Sequence, residues 1–313
     1  VEQNENQGSL SVYRLGQSTP LLTHETGANQ RPFIHPLTAP DGEGKITGTS
    51  GEATGIFWAF PSVNGRDFFS HSGQGYWQRQ AVSVIQSKGD AVSWQTVYEL
   101  LDSTGEAIME ETQNWSMQDA GARYELDVEW SGEAKTDLTI AESDFGGLYV
   151  QTAWQSGRTA EAVNAARQRN QDADGQPAMW ADIGVQVPGQ GALAHIAIFD
   201  HPNNPEFPQR WHVSDSFGFG PVRARTDAWT LDEGEMTLLK HRLLIHSGPL
   251  NDVDITQEWS EYSGLGGTWA LWSIAQREGR EAEFLTPERA IEEMTVHDGF
   301  QINAFASEPM MTQ

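Results

Sequence analysis

In the run ARYELDVEW, Tyr124, Leu126, Val128 and Trp130 alternate with Glu125, Asp127 and Glu129. A period of two sends successive side chains to opposite faces, so this run predicts a half-buried strand. The run AVSVIQSKGDAVSWQTVYEL reads as two strands joined at Lys88, Gly89 and Asp90, a hairpin with a glycine in its loop. MTLLKHRLLIHSG, GALAHIAIF and TDLTIA are further strands, and Asn64-Gly65 marks a hairpin turn. Short strands punctuated by turn residues predict an all-β fold, an antiparallel sandwich or barrel.

Helical periodicity is scarce. TAEAVNAARQRN predicts a short surface helix, with Ala162, Val163 and Ala166 as a thin apolar face. Thr286 followed by Pro287 has the form of a helix N-cap and first turn, with ERAIEEM after it. There is no internal repeat and no low-complexity linker. The composition shifts after about Gly279, so residues 1–280 are expected to form one β-domain. Residues 281–313 are expected to be a C-terminal extension, the start of a downstream module in a longer chain.

Composition narrows the partners. The 313 residues carry a formal charge of −25 with only 19 Lys and Arg, which excludes nucleic acid as the expected partner. No apolar stretch approaches the roughly 18 residues of a membrane span. There is no cysteine, hence no disulfide framework and no thiolate metal site. That absence fits a secreted or periplasmic protein. Twelve Trp and 13 Phe exceed what this hydrophobicity leads one to expect, so some are expected to line a groove.

The densest candidate chemistry is AIFDHPNNPEFPQRWHV. A buried strand ends at Asp200, and three prolines stiffen the loop that follows. His201 and His212 offer acid, base or metal-ligand chemistry. Asn203 and Asn204 suit sugar hydroxyls or a carboxylate, Arg210 can fork onto a carboxylate, and Trp211 offers a flat face to a sugar ring. The plainer alternative is a turn-rich loop with satisfied polar groups. In RPFIHPLTAPDG, Arg31, Phe33 and His35 share a strand face, with an edge strand and a solvated histidine as the alternative. Trp58, Phe57 and Phe60 read mostly as core, with Trp58 a possible sugar contact. His71 and Tyr76 flank a Gly-rich loop. Glu142 and Asp144 precede Gly146-Gly147, a site of close backbone approach or a bulge. His195, among apolar neighbours, reads as an ordinary strand residue, and His241 and His246 as weak candidates. No cofactor is firmly implied. Asp200, His201 and His212 form a possible set for a divalent ion.

At the 197–213 run, followed by GEMTLLKHRLLIHSG, the chain resembles the PmoA-like proteins labelled "methane oxygenase", a family of bacteria that degrade polysaccharides. The resemblance covers residues 31 to 263. Its most specific matches are Trp180, Asp182, Asp200, His201, Pro202, Asn203, Asn204, Trp211 and His212. It implies an antiparallel β-supersandwich of the galactose-mutarotase-like kind. Family members typically carry Asp-His-Pro-His-His-Arg-Gly before the aromatic strand. Here TSGEATG stands at residues 49–55 and only Gly55 is kept, so His35, His71 and Glu52 take over or activity is altered or lost. The tail FLTPERAIEEMTVHDGFQINAFASEP resembles the lead-in to a haem-type dehydrogenase module.

Together these readings lead to a glycan partner and a carbohydrate-active enzyme, a lyase acting by β-elimination at uronates. Arg210 or Asn203 would neutralise the carboxylate, His201 or His212 would be the base, and His35 or Tyr76 the acid. The alternatives are a hydrolase using Asp200 with Glu142 or Asp144, and a glycan-binding module without chemistry.

Overall fold

The structure, a computed structural model, describes residues 1–40, 44–188, 191–248 and 252–265, and one compact unit spans Val1–Gly267. The expected boundary at 280/281, the extension and its helix lie outside the described residues. In chain order the strands are β1 (Glu2–Asn4), β2 (Ser9–Val12), β3 (Leu22–Glu25), β4 (Phe33–Leu37), β5 (Thr49–Ser50), β6 (Ala53–Thr54), β7 (Ile56–Ala59), β8 (Trp77–Gln86), β9 (Ala91–Leu101) and β10 (Ala107–Asp119). They continue with β11 (Arg123–Ala134), β12 (Leu138–Ile140), β13 (Gly147–Gln151), β14 (Ala160–Asn164), β15 (Trp180–Val185), β16 (Ala194–Asp200), β17 (Arg210–Val213), β18 (Gly218–Val222), β19 (Trp229–Leu231) and β20 (Met236–Ser247). One 12-residue helix, α1 (Asp252–Ser263), follows.

Two eight-stranded antiparallel sheets face each other. The first runs β1-β2-β3-β4-β7-β13-β18-β17, the second β14-β15-β16-β20-β11-β10-β9-β8. The fold is thus the all-β antiparallel sandwich expected from the alternation. β11 follows its sequence pattern, with Tyr124, Leu126, Val128 and Trp130 buried. β8 and β9 form the expected hairpin. Asn64 and Gly65 both take positive φ, 51° and 78°, as a tight hairpin turn demands.

Aromatic side chains join the sheets. Trp58 of β7 stacks on Trp130 of β11 with centroids 4.9 Å apart. Trp130 Nε1 donates to Glu111 Oε2, Gln113 Nε2 donates to Glu111 Oε1, and Trp115 Nε1 donates to Gln113 Oε1. Trp94 Nε1 donates to His24 Nδ1 across the sheets. Burial pushes the Glu111 carboxyl up to about 7, because the charged form loses its water. Truncating such a buried indole costs about 3–5 kcal/mol.

Two elements depart from expectation. The run read as a surface helix is β14, paired with β15. Asn164 ends it by accepting from the amides of Ala166 and Gln168, and Asn170 Oδ1 accepts from Ala162 N. These side chains make a turn that a weak apolar stripe cannot oppose. Helix α1 was not legible as a helix. Ile255 and Trp259, one turn apart, are buried, Trp259 Nε1 donates to Asp200 O at the end of β16, and Gly264, with φ 69°, closes the C-terminus of the helix.

Candidate functional site

Residues 200–213 run from the second sheet to the first. Asp200, at the end of β16, is fully buried. Its Oδ1 accepts from Asn204 Nδ2 at 2.7 Å and its Oδ2 from Gln209 N at 2.8 Å. Asn204 also donates to Lys240 O and accepts from Lys240 N, so it fastens the loop to β20. Trp211 is fully buried, with Nε1 donating to Ala178 O. These three side chains hold the loop in shape. Their burial corrects the expectation that Asn204 and Trp211 meet a sugar and that Asp200 serves as an accessible carboxylate.

His201 and His212 do not converge. His201 follows β16 of the second sheet and sits edge-on to Tyr262 of α1. His212 lies on β17 of the first sheet, beside Tyr149 and Phe145, with Nδ1 3.2 Å from Asp174 Oδ1. Burial lowers the pKa of both, helped at His201 by Lys240 and opposed at His212 by Asp174. Asp200 turns to Asn204 and Gln209, so the metal set expected of Asp200, His201 and His212 is not assembled. Asn203 and Arg210 are exposed, and Arg210 Nη1 donates to Gly175 O.

The other candidates divide sharply. Arg31 is buried, donates to the carbonyls of Phe69 and Glu52, and lies 3.7 Å above the Phe57 ring. It is a core cation, and burial lowers its pKa to about 10. Trp58 is core, as its stacking on Trp130 requires. β4 is an interior strand, not an edge, and His35 is half-buried with Nδ1 3.0 Å from Thr47 Oγ1. Burial, then Lys45, lowers its pKa. Residues 49–55 form the β5–β6 hairpin and the turn into β7. A side chain at Gly55 would collide with Ile34 O, so the backbones approach closely there.

His71 and Tyr76, by contrast, are brought together. Their rings stack with centroids 4.9 Å apart, and the Arg66 guanidinium lies 3.8 Å from the Tyr76 centroid. All three line a cleft of about 580 Å³ with Asn64, Asp67 and Asp102. Asp67 Oδ1 accepts from the amides of Phe69 and Ser70, and Asp102 Oδ1 from those of Thr104 and Glu106. Each carboxylate is thus fixed by one oxygen. A second groove, about 330 Å³, crosses the second sheet at Asn114, Asp127, Glu129, Lys240 and Tyr262.

One cluster escaped the sequence reading. Gly184, His195 and His246 lie side by side across β15, β16 and β20, with Asp182 two residues from Gly184 and so on the same face. His195 Nδ1 lies 2.7 Å from Asp182 Oδ2, and His246 Nε2 lies 3.3 Å from Asp182 Oδ1. The imidazoles stack at 4.7 Å, and a Cβ on Gly184 would sit 2.4 Å from the His195 ring. Burial alone would raise the Asp182 pKa, but the histidine contacts outweigh it and hold the carboxyl at about 2. Burial opposes protonation of His195, and Asp182 overrides it, so the His195 pKa rises. Among the described residues this is the one group of three or more His, Cys, Asp or Glu side chains whose ligand-capable atoms all lie within 4.8 Å. The available signal was a histidine inside β16, where every residue is buried and a polar group needs a partner.

The chain belongs to a family of unknown function, DUF6807, whose model matches residues 12–260. No curated protein matches it. Among solved structures it is similar, at 9% identity and a TM-score of 0.42, to the GH36 α-galactosidase AgaB of Geobacillus stearothermophilus, covering 79% of this chain and 40% of that one. It is similar to the α-galactosidase of Lactobacillus brevis at 10% identity and a TM-score of 0.35, covering 81% and 41%. A galactose mutarotase related enzyme of Lactobacillus acidophilus is similar at 7% identity and a TM-score of 0.30, covering 72% and 98%. The chain therefore spans about two fifths of the length of the α-galactosidases.

Proposed function

We propose that this protein binds an acidic glycan in the His71–Tyr76 cleft and cleaves it by β-elimination beside a uronate. The observation that carries the reading is the convergence of a guanidinium, an imidazole and a phenol in one cleft: Arg66, His71 and Tyr76. Elimination needs those three roles. Arg66 offsets the uronate carboxylate and so acidifies the adjacent carbon. His71 takes the proton from that carbon. The C–H electron pair becomes the C4=C5 double bond, and the C4–O bond breaks with its pair on the leaving oxygen. Tyr76 gives that oxygen a proton. The role expected of His201 or His212 passes to His71, because neither of those histidines lines this cleft. No helix among the described residues is long and apolar enough to cross a membrane.

A second reading, hydrolysis, is favoured by the two anchored carboxylates, Asp67 and Asp102, in the same cleft. Incubation with uronate-containing and neutral glycans separates these readings. Ultraviolet absorbance of an unsaturated product, lost in His71→Ala and Tyr76→Phe, is the expected result. New reducing ends without absorbance overturn elimination in favour of hydrolysis. Binding without either product leaves a glycan-binding module.

A further inference from the structure

We infer that Asp182, His195 and His246 form a binding site for a first-row divalent transition ion, with Zn²⁺ the best match. Two imidazoles and one carboxylate are an N/O donor set of the kind Zn²⁺ takes, and three protein ligands leave a fourth position open. The site is built into the sheet: Asp182 is fully buried, and β15, β16 and β20 each contribute one ligand. Among the described residues, neither Lys nor Arg is hydrogen-bonded to the Asp182 carboxylate, whose partners are the two imidazoles. His195 is buried, yet among the described residues its Nε2 has no hydrogen-bond partner, so no described group outside the cluster fixes its protons.

The remaining adjustment is small. Ligands about 2.0–2.2 Å from a common ion lie roughly 3–4 Å apart, and these atoms already lie within 4.8 Å. Closing on an ion requires one ring to leave the stack. His246 is the ring able to do so, with its side chain 16% exposed while that of His195 is 1% exposed. The same exposure gives the ion a path in and a water for its fourth position. Binding displaces any proton held between Asp182 and the imidazoles, so affinity rises with pH.

Titration of the full chain with Co²⁺, followed by visible absorption, tests this site. With a formal charge of −25, exposed carboxylates also collect cations weakly, but they leave Co²⁺ octahedral and pale. The expected result is one Co²⁺ per chain with intense low-coordinate bands, displaced by Zn²⁺. Asp182→Asn should abolish the bands. His246→Ala keeps the buried Asp182–His195 pair and serves if Asp182→Asn fails to fold. It should weaken binding by roughly tenfold or more, since even an outer-shell loss costs about 10–100-fold. His71→Ala should bind Co²⁺ as the parent does, which separates this site from the glycan cleft. Only pale octahedral spectra, or equal affinity in His246→Ala, would overturn the inference.

Discussion

A buried carboxylate meets histidine on each of the two faces of the second sheet where β15, β16 and β20 run side by side. Asp200 and His241 face the first sheet, while Asp182, His195 and His246 face outward. The first carboxylate is held by amides, from Asn204 Nδ2 and Gln209 N, with His241 Nε2 at 3.5 Å. The second, among the described residues, is held by imidazoles alone. Amide protons do not titrate near neutral pH and do not yield to a metal, whereas imidazole protons do both. Two groups of similar composition therefore have different uses: the fully buried one locks a loop to a sheet, and the one with a part-exposed His246 can exchange what it holds.

The largest way to break this comparison is Asp182→Ala. It strands a buried, protonatable histidine, and removing one partner of a buried pair costs about 3–5 kcal/mol. Urea unfolding at neutral pH measures it, and a loss near zero would mean that the imidazoles do not depend on the carboxylate. Next is Asn204→Ala on the inner face, which removes the donors and acceptor joining Asp200 to Lys240. A loss of about 2–3 kcal/mol is expected, equal at pH 5 and pH 8 because amides carry no titration. A pH-dependent loss would assign His241 a share in it.

A third measurement follows stability with pH. Asp182 falls from 3.8 to about 2 on folding, so its contribution is complete above about pH 4 and is lost as pH falls toward 2. At full burial this amounts to about 2 kcal/mol. His195 moves up from 6.5, so its contribution is complete below that value and fades as pH rises through the folded one. Stability from this cluster should peak between about pH 4 and pH 6.5, and Asp182→Asn should flatten the peak. An unchanged profile in that variant would remove the cluster from the account. The smallest effect belongs to the exposed side chains of the 200–213 segment. Asn203→Ala and Arg210→Ala should each change stability by about 0.5 kcal/mol or less, and a thermal melt shifted by many degrees would show that the loop leans on them.

What could be read from the sequence follows from range. The alternation in β11 and the Asn64-Gly65 turn are local, and both appear where expected. His71 and Tyr76 are only five residues apart, so their meeting in one cleft is local as well. The β14 error arose because Ala162, Val163 and Ala166 satisfy a helical stripe, while Asn164 and Asn170 decide the conformation through side-chain bonds that periodicity does not capture. Asp182 lies 13 residues from His195 and 64 from His246, and only strand register brings them together. Polar residues are dense between 200 and 212, yet density does not reveal that Asp200 and Asn204 turn inward while Asn203 and Arg210 stay exposed.

The stacked indoles of Trp58 and Trp130 come from opposite sheets, whereas those of Trp94 and Trp115 are neighbours within the second. Near-parallel chromophores at 4.9 Å share their excitation, and those at 6.3 Å do so more weakly. The protein therefore carries an internal optical ruler. The first pair loses its electronic coupling as soon as the sheets part, and the second keeps its own until β9 and β10 unzip, so spectroscopy on the unmodified chain can time the two events separately.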